Sequence, residues 1–507
     1  MADGLSLMRQ SSRRTAFGIG ILLLLYLALL ALGGIPDVGQ APQSADGHSP
    51  QADPFAPPLW ATIPFAGLLL SIAVLPLVPW TSKWWHSNRN RFLLASGFAV
   101  LVLLYYGFSH PGGLSNHFFH QPDTQAGLQT VGAVFSNAIL GEYIPFIILL
   151  FSLYVISGGV RLRGDLAAHP ATNCAFLATG ALLASFIGTT GAAMVLIRPL
   201  LATNQERRHK VHTVIFFIFM VCNCGGLLLP IGDPPLFLGY LRGVPFLWTM
   251  QLWPYWLAVN AVLLGTYFIW DCYAYRQESP ADIALDETQI RPLRLDGTLN
   301  LALLAGVVFC VAWLVPGQPL PGTSVLCPVF LREALMLGLV VLSLQATPAG
   351  IRVSNYFDYH AIGEVAALFS GIFICMQVPI EILSVQGAEL GLKSPAQFFW
   401  ATGILSSFLD NAPTYVVFFE AARAVPFEAG AALVELAQSR TISEPLLSAI
   451  SLGAVFMGAG SYIGNGPNFM VKSIAERQGV KMPSFFGYMA YAAVVLIPVF
   501  VVVTLVL

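Results

Sequence analysis

The chain has 507 residues, of which 56% are hydrophobic and only 10% are charged, and its formal net charge is −2. A soluble domain carries about 25% charged residues. This much apolar sequence cannot be hidden in soluble cores. The composition predicts an integral membrane protein whose main partner is the lipid bilayer, and the net charge gives no basis for nucleic-acid binding. The seven cysteines form no CxxC pair, and we interpret them as small apolar side chains rather than a metal or disulfide framework.

Eleven apolar stretches are candidates for spanning helices, each of which needs about 20 mostly apolar residues. They are residues 16–34, 59–79, 92–109, 142–160, 211–241, 251–270, 299–315, 333–346, 361–383, 446–475 and 485–506. Two further apolar stretches, 173–202 and 396–424, are broken near their middles by Gly188-Thr189-Thr190-Gly191 and Asp410-Asn411-Ala412-Pro413. We interpret both as re-entrant hairpins, which enter the membrane and return on the same side.

The basic residues support this topology, because cytoplasmic loops are enriched in Lys and Arg. With the N-terminus inside, 18 of the 24 basic residues fall in loops predicted to be cytoplasmic. If either broken stretch crossed the membrane fully, every later loop would change side. The sequence therefore predicts a multi-pass protein of the bacterial inner membrane with a cytoplasmic N-terminus.

The first apolar stretch has two interpretations. Arg9, Arg13 and Arg14 precede a run of apolar residues, which is followed by small residues and by Pro and Gly. That order is typical of a secretory signal peptide as well as of a first spanning helix. We favour an uncleaved helix, and in either case residue 59 starts outside.

A short motif occurs once in each half of the chain. The first half has Ile231-Gly232-Asp233-Pro234-Pro235-Leu236-Phe237, and the second has Ile463-Gly464-Asn465-Gly466-Pro467-Asn468-Phe469. A hairpin lies upstream of each copy, so residues 59–298 and 299–507 read as two repeats, after an N-terminal helix and linker in residues 1–58. The first repeat begins outside and the second inside, so the repeats are predicted to be inverted.

Paired Gly/Pro breaks in matching apolar segments are the sequence signature of a transporter site. Proline removes a backbone donor and glycine relaxes the chain, so a helix unwinds there. Unwound backbone is tolerated in a membrane only where it is buried in protein or lines a polar cavity. Its carbonyl groups can bind a cation, and the N-termini of the half-helices can bind an anion. The alternative is that both breaks are simple kinks.

At these motifs the sequence resembles the ion transporter superfamily, which includes NhaD-type sodium/proton antiporters, arsenite efflux pumps and citrate and dicarboxylate transporters. The resemblance covers the chain from about residue 59. In the dicarboxylate branch both hairpin tips carry Ser-Asn-Thr, whereas the tips here read Gly-Thr-Thr and Asp-Asn-Ala-Pro-Thr. The second tip is more similar to the Leu-Asp-Asn-x-Pro element of the antiporter and arsenite branches.

Two carboxylates are the leading candidates for ion binding, because an ionisable residue at membrane depth suggests function. Asp410 at the second hairpin tip could exchange a proton for a sodium ion, or it could simply cap the following helix. Asp233 lies in the first broken helix, where an Asp before two prolines could also just shape a turn.

Uncharged oxygen donors complete the predicted site. They suit a hard monovalent cation, although Ser and Thr also satisfy helix backbone in membranes. The candidates are Asn411, Thr414, Thr189, Thr190, Asn465 and Asn468.

Weaker candidates lie elsewhere. Glu364 and Glu381 occupy one predicted span, and Arg198 lies in the first hairpin. His110, His117 and His120 are too loosely spaced for a metal site. His209 and His212 flank a basic loop, where a solvated face is expected.

The sequence predicts an all-α membrane fold of about eleven spanning helices, with two inverted repeats, and a secondary transporter that works by alternating access. Sodium/proton antiport is the first hypothesis, and cation-coupled transport of citrate or a related carboxylate is the second. No cofactor is expected beyond the transported Na⁺ and H⁺, and a homodimer is compatible with the sequence. A membrane-embedded enzyme or scaffold would lack a reason for the duplicated motifs, and no P-loop or GxSxG element is present.

Overall fold

The computed structural model describes residues 2–32, 55–114, 124–426, 430, 432–437 and 440–507. His117, His120, most of the predicted N-terminal linker and parts of the loop 425–445 lie outside these ranges. The first twelve helices are α1 (Ala2–Ala31), α2 (Ile63–Val74), α3 (Pro79–Trp85), α4 (Asn88–Phe108), α5 (Leu128–Phe135), α6 (Ile144–Ser157), α7 (Pro170–Ile187), α8 (Thr189–Thr203), α9 (Val211–Met220), α10 (Pro234–Leu241), α11 (Trp253–Tyr275) and α12 (Pro280–Thr288).

The second half of the chain adds ten α-helices, and the chain also forms two short two-stranded sheets. The helices are α13 (Leu299–Trp313), α14 (Leu331–Ala346), α15 (Ala349–Ser354), α16 (His360–Cys375), α17 (Gln377–Gln386), α18 (Pro395–Phe408), α19 (Asn411–Arg423), α20 (Glu444–Met457), α21 (Gly466–Arg477) and α22 (Phe485–Val506). The strands are β1 (Arg161–Asp165), which pairs antiparallel with β2 (Arg291–Asp296), and β3 (Leu433–Leu436), which pairs antiparallel with β4 (Arg440–Ser443). The predicted all-α membrane fold is confirmed.

Seven described helical segments are long and apolar enough to cross a membrane, or eight if the pair bent by 104° at residues 75–78 forms one span. This is fewer than the eleven predicted spans, and one of the seven, α7, was predicted as a hairpin arm rather than as a span. The difference arises because two predicted spans, 211–241 and 446–475, are each two short helices around a break. Two others, α13 and α14, are 15 and 16 residues long.

The helices form two compact units, each of which takes segments from both halves of the chain. Unit 1 consists of Met1–Ile156, Ala302–Gly391 and Ala424–Pro426, and unit 2 consists of Ser157–Leu301, Leu392–Arg423 and Phe427–Leu507. The division into two repeats at residue 299 stays a prediction from the sequence.

In unit 1, α4 and α16 pack along their lengths, and α1 packs on α14 and α15. Arg352 on α15 is a fully buried cation of this unit. Its guanidinium donates to the backbone oxygen of Val155, at the C-terminal end of α6, and to Ser343 Oγ at 2.7 Å. A cation near a helix C-terminus is favoured by the helix dipole, so Arg352 joins α15, α6 and α14.

Unit 2 contains both predicted hairpins. The arms of the first, α7 and α8, return to one end, where Asn173 and Asn204 exchange two amide hydrogen bonds of 2.9 and 2.8 Å. The arms of the second, α18 and α19, pack antiparallel, with the rings of Phe398 and Phe418 6.5 Å apart. The glycine between α7 and α8, Gly188, has φ of +77°, a conformation that favours glycine.

The two hairpin tips make equivalent backbone contacts. Thr189 N–H donates to the carbonyl of Gly232 at 2.9 Å, and Asn411 N–H donates to the carbonyl of Gly464 at 3.2 Å. Both acceptors are the glycine of the duplicated Ile-Gly motif.

A second matched contact lies one helical turn earlier in each hairpin. Ser185 Oγ donates to the carbonyl of Gly225 at 2.5 Å, and Ser407 Oγ donates to that of Met457 at 2.7 Å. Each serine lies four residues before its tip residue, and each acceptor lies seven residues before its motif glycine. The two halves of unit 2 therefore repeat their contacts as well as their motif.

Candidate functional site

The first broken helix begins to unwind where α9 ends at Met220. A 3-10 turn follows at Cys224–Leu227, and regular helix resumes only at Pro234. Two prolines occupy the first helical positions and favour this start. The fixed φ of proline suits a helix, and its missing N–H costs nothing there, because the first N–H groups of a helix have no acceptor within the helix. Asp233 is consequently the N-terminal cap residue of α10, with extended backbone.

The second broken helix repeats this arrangement. α20 ends at Met457, a 3-10 turn covers Gly458–Gly460, and α21 begins at Gly466 with Pro467 in its first turn. Asn465 is the cap residue here, in the same extended conformation as Asp233. The motif therefore builds two helix N-termini that present an acid in one half and its amide in the other.

Asp233 lies at the centre of a buried polar cluster in unit 2 and is only 1% exposed. Its Oδ1 accepts hydrogen bonds from Thr189 Oγ1 at 3.2 Å and from Asn465 Nδ2 at 2.8 Å. Its Oδ2 accepts one from Asn411 Nδ2 at 2.7 Å. Both hairpin tips and the second broken helix thus converge on this carboxylate.

Asn223 extends the cluster and was not singled out by the sequence analysis. Its Nδ2 donates to Asn468 Oδ1 at 2.8 Å, and its Oδ1 lies 3.3 Å from Asn465 Nδ2. Asn468 in turn donates to the carbonyl groups of Gly458 and Ser461, both at 2.9 Å. A lone polar residue within the apolar stretch just before a helix break was the available signal for Asn223.

One oxygen of the cluster is not satisfied. Asn411 is fully buried, and its Oδ1 has no hydrogen-bond partner among the described residues. A buried polar atom without a partner is costly. This amide oxygen is therefore a ready ligand for a proton donor or a cation.

Three predicted site residues lie beside the cluster rather than in it. Asp410 directly precedes α19, and its Oδ1 accepts the N–H of Ala412 at 3.0 Å, which is the capping role considered as an alternative. Thr414 Oγ1 donates to the backbone oxygen of Asp410 at 3.0 Å. Thr190 is partly exposed, and no side-chain hydrogen bond joins it to the other residues in the described part of the chain.

The charge pattern of the site has two components. Four helices, α8, α10, α19 and α21, start at or beside the cluster, and their N-termini carry partial positive charge. The ionisable groups at hand are Asp233 and Asp410, and the side-chain hydrogen-bond donors to Asp233 among the described residues are all neutral. The helix ends compensate one buried carboxylate and leave the side-chain oxygens available.

The weaker candidates lie apart from this cluster. Glu364 pairs with Arg91 at 3.0 Å, and Glu381 contacts His110 at 2.8 Å, both within unit 1. Arg198 donates to a carbonyl of its own helix, α8. The expected solvated face at His212 is wrong: this side chain is buried and bonded to Asp271 at 2.8 Å, because α9 packs against α7 and α11.

A multi-pass helical membrane protein with polar groups gathered at two broken helices and two hairpin tips has the architecture of a membrane transporter. Comparison with protein families matches residues 55–507 to the family described as "Putative citrate transport". The chain belongs to that family and is a transporter. No curated protein matches the chain.

Proposed function

We propose that the chain is a secondary active transporter that exchanges Na⁺ for H⁺, with Asp233 binding the two ions in turn. The observation that supports this most is the isolation of the Asp233 carboxylate among neutral donors. A proton or a sodium ion can each neutralise it, and each excludes the other. This exclusion is the chemical basis of exchange.

The neighbouring amides suit both states of the carboxylate. The Nδ2 groups of Asn411 and Asn465 donate to Asp233. Rotation of either side-chain amide by half a turn presents Oδ1 instead of Nδ2, since an amide carries both donors and acceptors. The same residues can thus coordinate Na⁺ together with the carboxylate and the hydroxyl of Thr189.

Unwound backbone on both sides of the cluster supports alternating access, in which the site opens to each face of the membrane in turn. We propose a bacterial inner-membrane location with the N-terminus in the cytoplasm, on the basis of the basic-residue distribution.

Cation-coupled transport of citrate or a related carboxylate is the second candidate. It is favoured by the family description and by the four helix N-termini around the cluster, which attract anions. Against it stand two carboxylates, one of which, Asp233, accepts side-chain hydrogen bonds only from neutral groups among the described residues. Negative groups repel an anion strongly where the dielectric constant is low.

Purified protein in liposomes with an internal pH dye separates the two candidates. Addition of Na⁺ or Li⁺ is expected to drive proton movement, while K⁺ serves as the ionic control. Radiolabelled citrate is offered in parallel. Saturable citrate uptake without cation-driven proton movement would replace antiport by carboxylate transport.

A further inference from the structure

The first helix, α1, is attached to the rest of unit 1 along one narrow face. Ser12 and Ile19 are buried, and Tyr26 Oη donates to the backbone oxygen of Val329 at 3.1 Å. These three residues of α1 are seven positions apart, which is close to two helical turns, so they lie on one side of the helix. Through this side α1 packs on α14 and α15.

A different face of α1 is apolar and exposed. Phe17, Ile21 and Leu24 are 73%, 52% and 68% exposed, and their spacing of four and three residues places them in one row. We call this row the lipid stripe. Of the apolar part of α1, only 11% is buried within the protein. In a protein that spans the bilayer, such a row contacts the acyl chains of lipids.

Three arginines continue the lipid stripe toward the start of α1. Arg13 lies four residues before Phe17, and Arg9 lies four residues before Arg13, so the same helix face carries all three side chains. Arg14 lies seven residues before Ile21 and is therefore close to that face as well. Arg9, Arg13 and Arg14 are exposed, and we call them the arginine row.

The arginine row has no acidic partner among the described residues. The ion pairs of unit 1 in this part of the chain join Arg91 to Glu364, His110 to Glu381 and Arg332 to Glu333. The arginine row takes part in none of them. Its side chains line one open recess together with those of Leu5, Ser6 and Gln10. Three cations therefore face the same recess without a counter-charge from the described protein.

The height of the arginine row matches that of lipid headgroups. At 1.5 Å per residue, Arg13 and Arg14 lie about 5–6 Å along the helix axis from Phe17, and Arg9 lies about 12 Å from it. The headgroup layer on each side of a bilayer is about 5–8 Å thick. The long arginine side chains can reach along the helix to this layer. One face of α1 thus offers apolar contact for acyl chains and, directly beside it, cations for a phosphate.

We propose that this face of α1 is a binding site for an anionic phospholipid. The acyl chains pack on the lipid stripe, and the negatively charged headgroup lies in the recess of the arginine row. A zwitterionic phospholipid matches the lipid stripe but leaves the positive charge uncompensated. A small anion without acyl chains matches only the arginine row. Basic residues next to a spanning helix attract anionic lipids in this way.

Native mass spectrometry of the detergent-solubilised full chain tests the proposal with phosphatidylglycerol and phosphatidylcholine as probes. R9Q/R13Q/R14Q is expected to bind phosphatidylglycerol about 10- to 100-fold more weakly than wild type, with phosphatidylcholine binding unchanged. The matched control is R161Q/R291Q/R294Q, which removes three arginines from β1 and β2. This control is expected to keep the wild-type affinity for both lipids.

A second pair of measurements separates the headgroup from the acyl chains. F17A/L24A is expected to weaken binding of both lipids by the same factor, because it shortens the lipid stripe and leaves the arginine row intact. Glycerol 1-phosphate carries a charged phosphate without acyl chains and is expected not to displace phosphatidylglycerol. Displacement at equal concentration would show a site for small anions and would overturn the proposal.

Two further outcomes would contradict a lipid site on α1. Equal loss of phosphatidylglycerol binding in R9Q/R13Q/R14Q and in the control would mean that the lipid responds to net charge alone. A changed ratio of monomer to dimer in the arginine variant, with lipid binding as in wild type, would assign this face to a second copy of the chain.

A milder variant keeps the test valid if the triple variant does not fold. Thermal melting in phosphatidylcholine alone checks the fold of each protein. R13Q removes one charge and is expected to bind phosphatidylglycerol about fivefold more weakly. Wild-type affinity in a folded R13Q and in a folded triple variant would remove the arginine row as the headgroup site. None of these measurements depends on the transported ion, so their result is independent of the proposed antiport.

Discussion

Asn411 donates a 2.7 Å hydrogen bond from Nδ2 to Oδ2 of Asp233, which joins the second hairpin tip to the first broken helix. The two residues lie 178 positions apart in the chain. A charged acceptor makes this one of the stronger hydrogen bonds of the site. Two hairpin tips and two broken helices therefore share one carboxylate.

This geometry predicts that Asp233, rather than Asp410, binds the exchanged ions. We expect D233N to abolish Na⁺-dependent proton flux, because an amide cannot release a proton in this range. D410N is expected to retain flux of the same order as wild type, since Asn keeps the oxygen that accepts the N–H of Ala412. The measurement is proton flux at equal protein incorporation. Full loss in D410N with activity in D233N would reverse the assignment.

The same measurement across a pH series tests competition at Asp233. A proton and Na⁺ exclude each other from one carboxylate, so apparent Na⁺ affinity is expected to fall as the pH falls. An affinity that does not change with pH would argue against a shared site.

The unsatisfied oxygen of Asn411 leads to a prediction about affinity. N411A removes both the donor to Asp233 and the free Oδ1, and a hydrogen bond to a charged group is worth about 1.5–3 kcal/mol. Apparent Na⁺ affinity is expected to fall about 10- to 100-fold. Thr190 is a matched polar residue at the other tip but outside the cluster, so T190V is expected to change affinity little. Equal effects of both variants would show that the cluster does not define the site.

The second broken helix contains two glycines that differ in the space available for a side chain. A methyl group at Gly464 would lie 2.6 Å from the carbonyl oxygen of Gly458, whereas one at Gly466 would meet nothing within 4 Å. We expect G464A to destabilise the protein by about 1–3 kcal/mol through overpacking. G466A should melt close to the wild-type temperature. Thermal melting of detergent-solubilised protein distinguishes them, and equal melting temperatures would contradict the close approach.

Glu278 makes the stability of the folded protein depend on pH. Burial alone would raise the pKa of Glu278. Hydrogen bonds from the backbone N–H groups of His209 and Arg208, together with the charge of Arg207, lower it by more, so the pKa lies below its ordinary value. A carboxyl whose pKa is depressed by folding stabilises the protein above its unfolded pKa of about 4.3. That stabilisation is lost as the pH falls through the folded pKa.

E278Q is accordingly expected to lower the melting temperature at pH 7, with the difference from wild type disappearing as the pH falls below about 4. The exposed Glu287 on α12 supplies the control, and E287Q is expected to behave as wild type throughout. A constant deficit of E278Q across the pH range would mean that the lost contacts are not electrostatic.

Both helix breaks could be located from the sequence, because Gly and Pro interrupt otherwise apolar stretches at Gly232 and Gly466. Asn223 could not be found through the repeat, because the matching position in the second half is Val455. The sequence alone could not decide between Asp410 and Asp233, since which carboxylate faces a buried polar cluster depends on packing between distant segments. The two compact units were beyond sequence reasoning for the same reason.

The matched backbone contacts of Gly232 and Gly464 give the site an approximate two-fold symmetry that its charge does not share. Asp233 and Asn465 occupy equivalent positions, so an ion held by the carboxylate lies off that axis, closer to the first half. Na⁺ entering from opposite faces would therefore pass different side chains on its way to the same oxygen atoms. For the exchange proposed above, half-saturating Na⁺ concentrations on the two faces are expected to be unequal, and the transporter would be kinetically asymmetric even though the backbone contacts of Gly232 and Gly464 match.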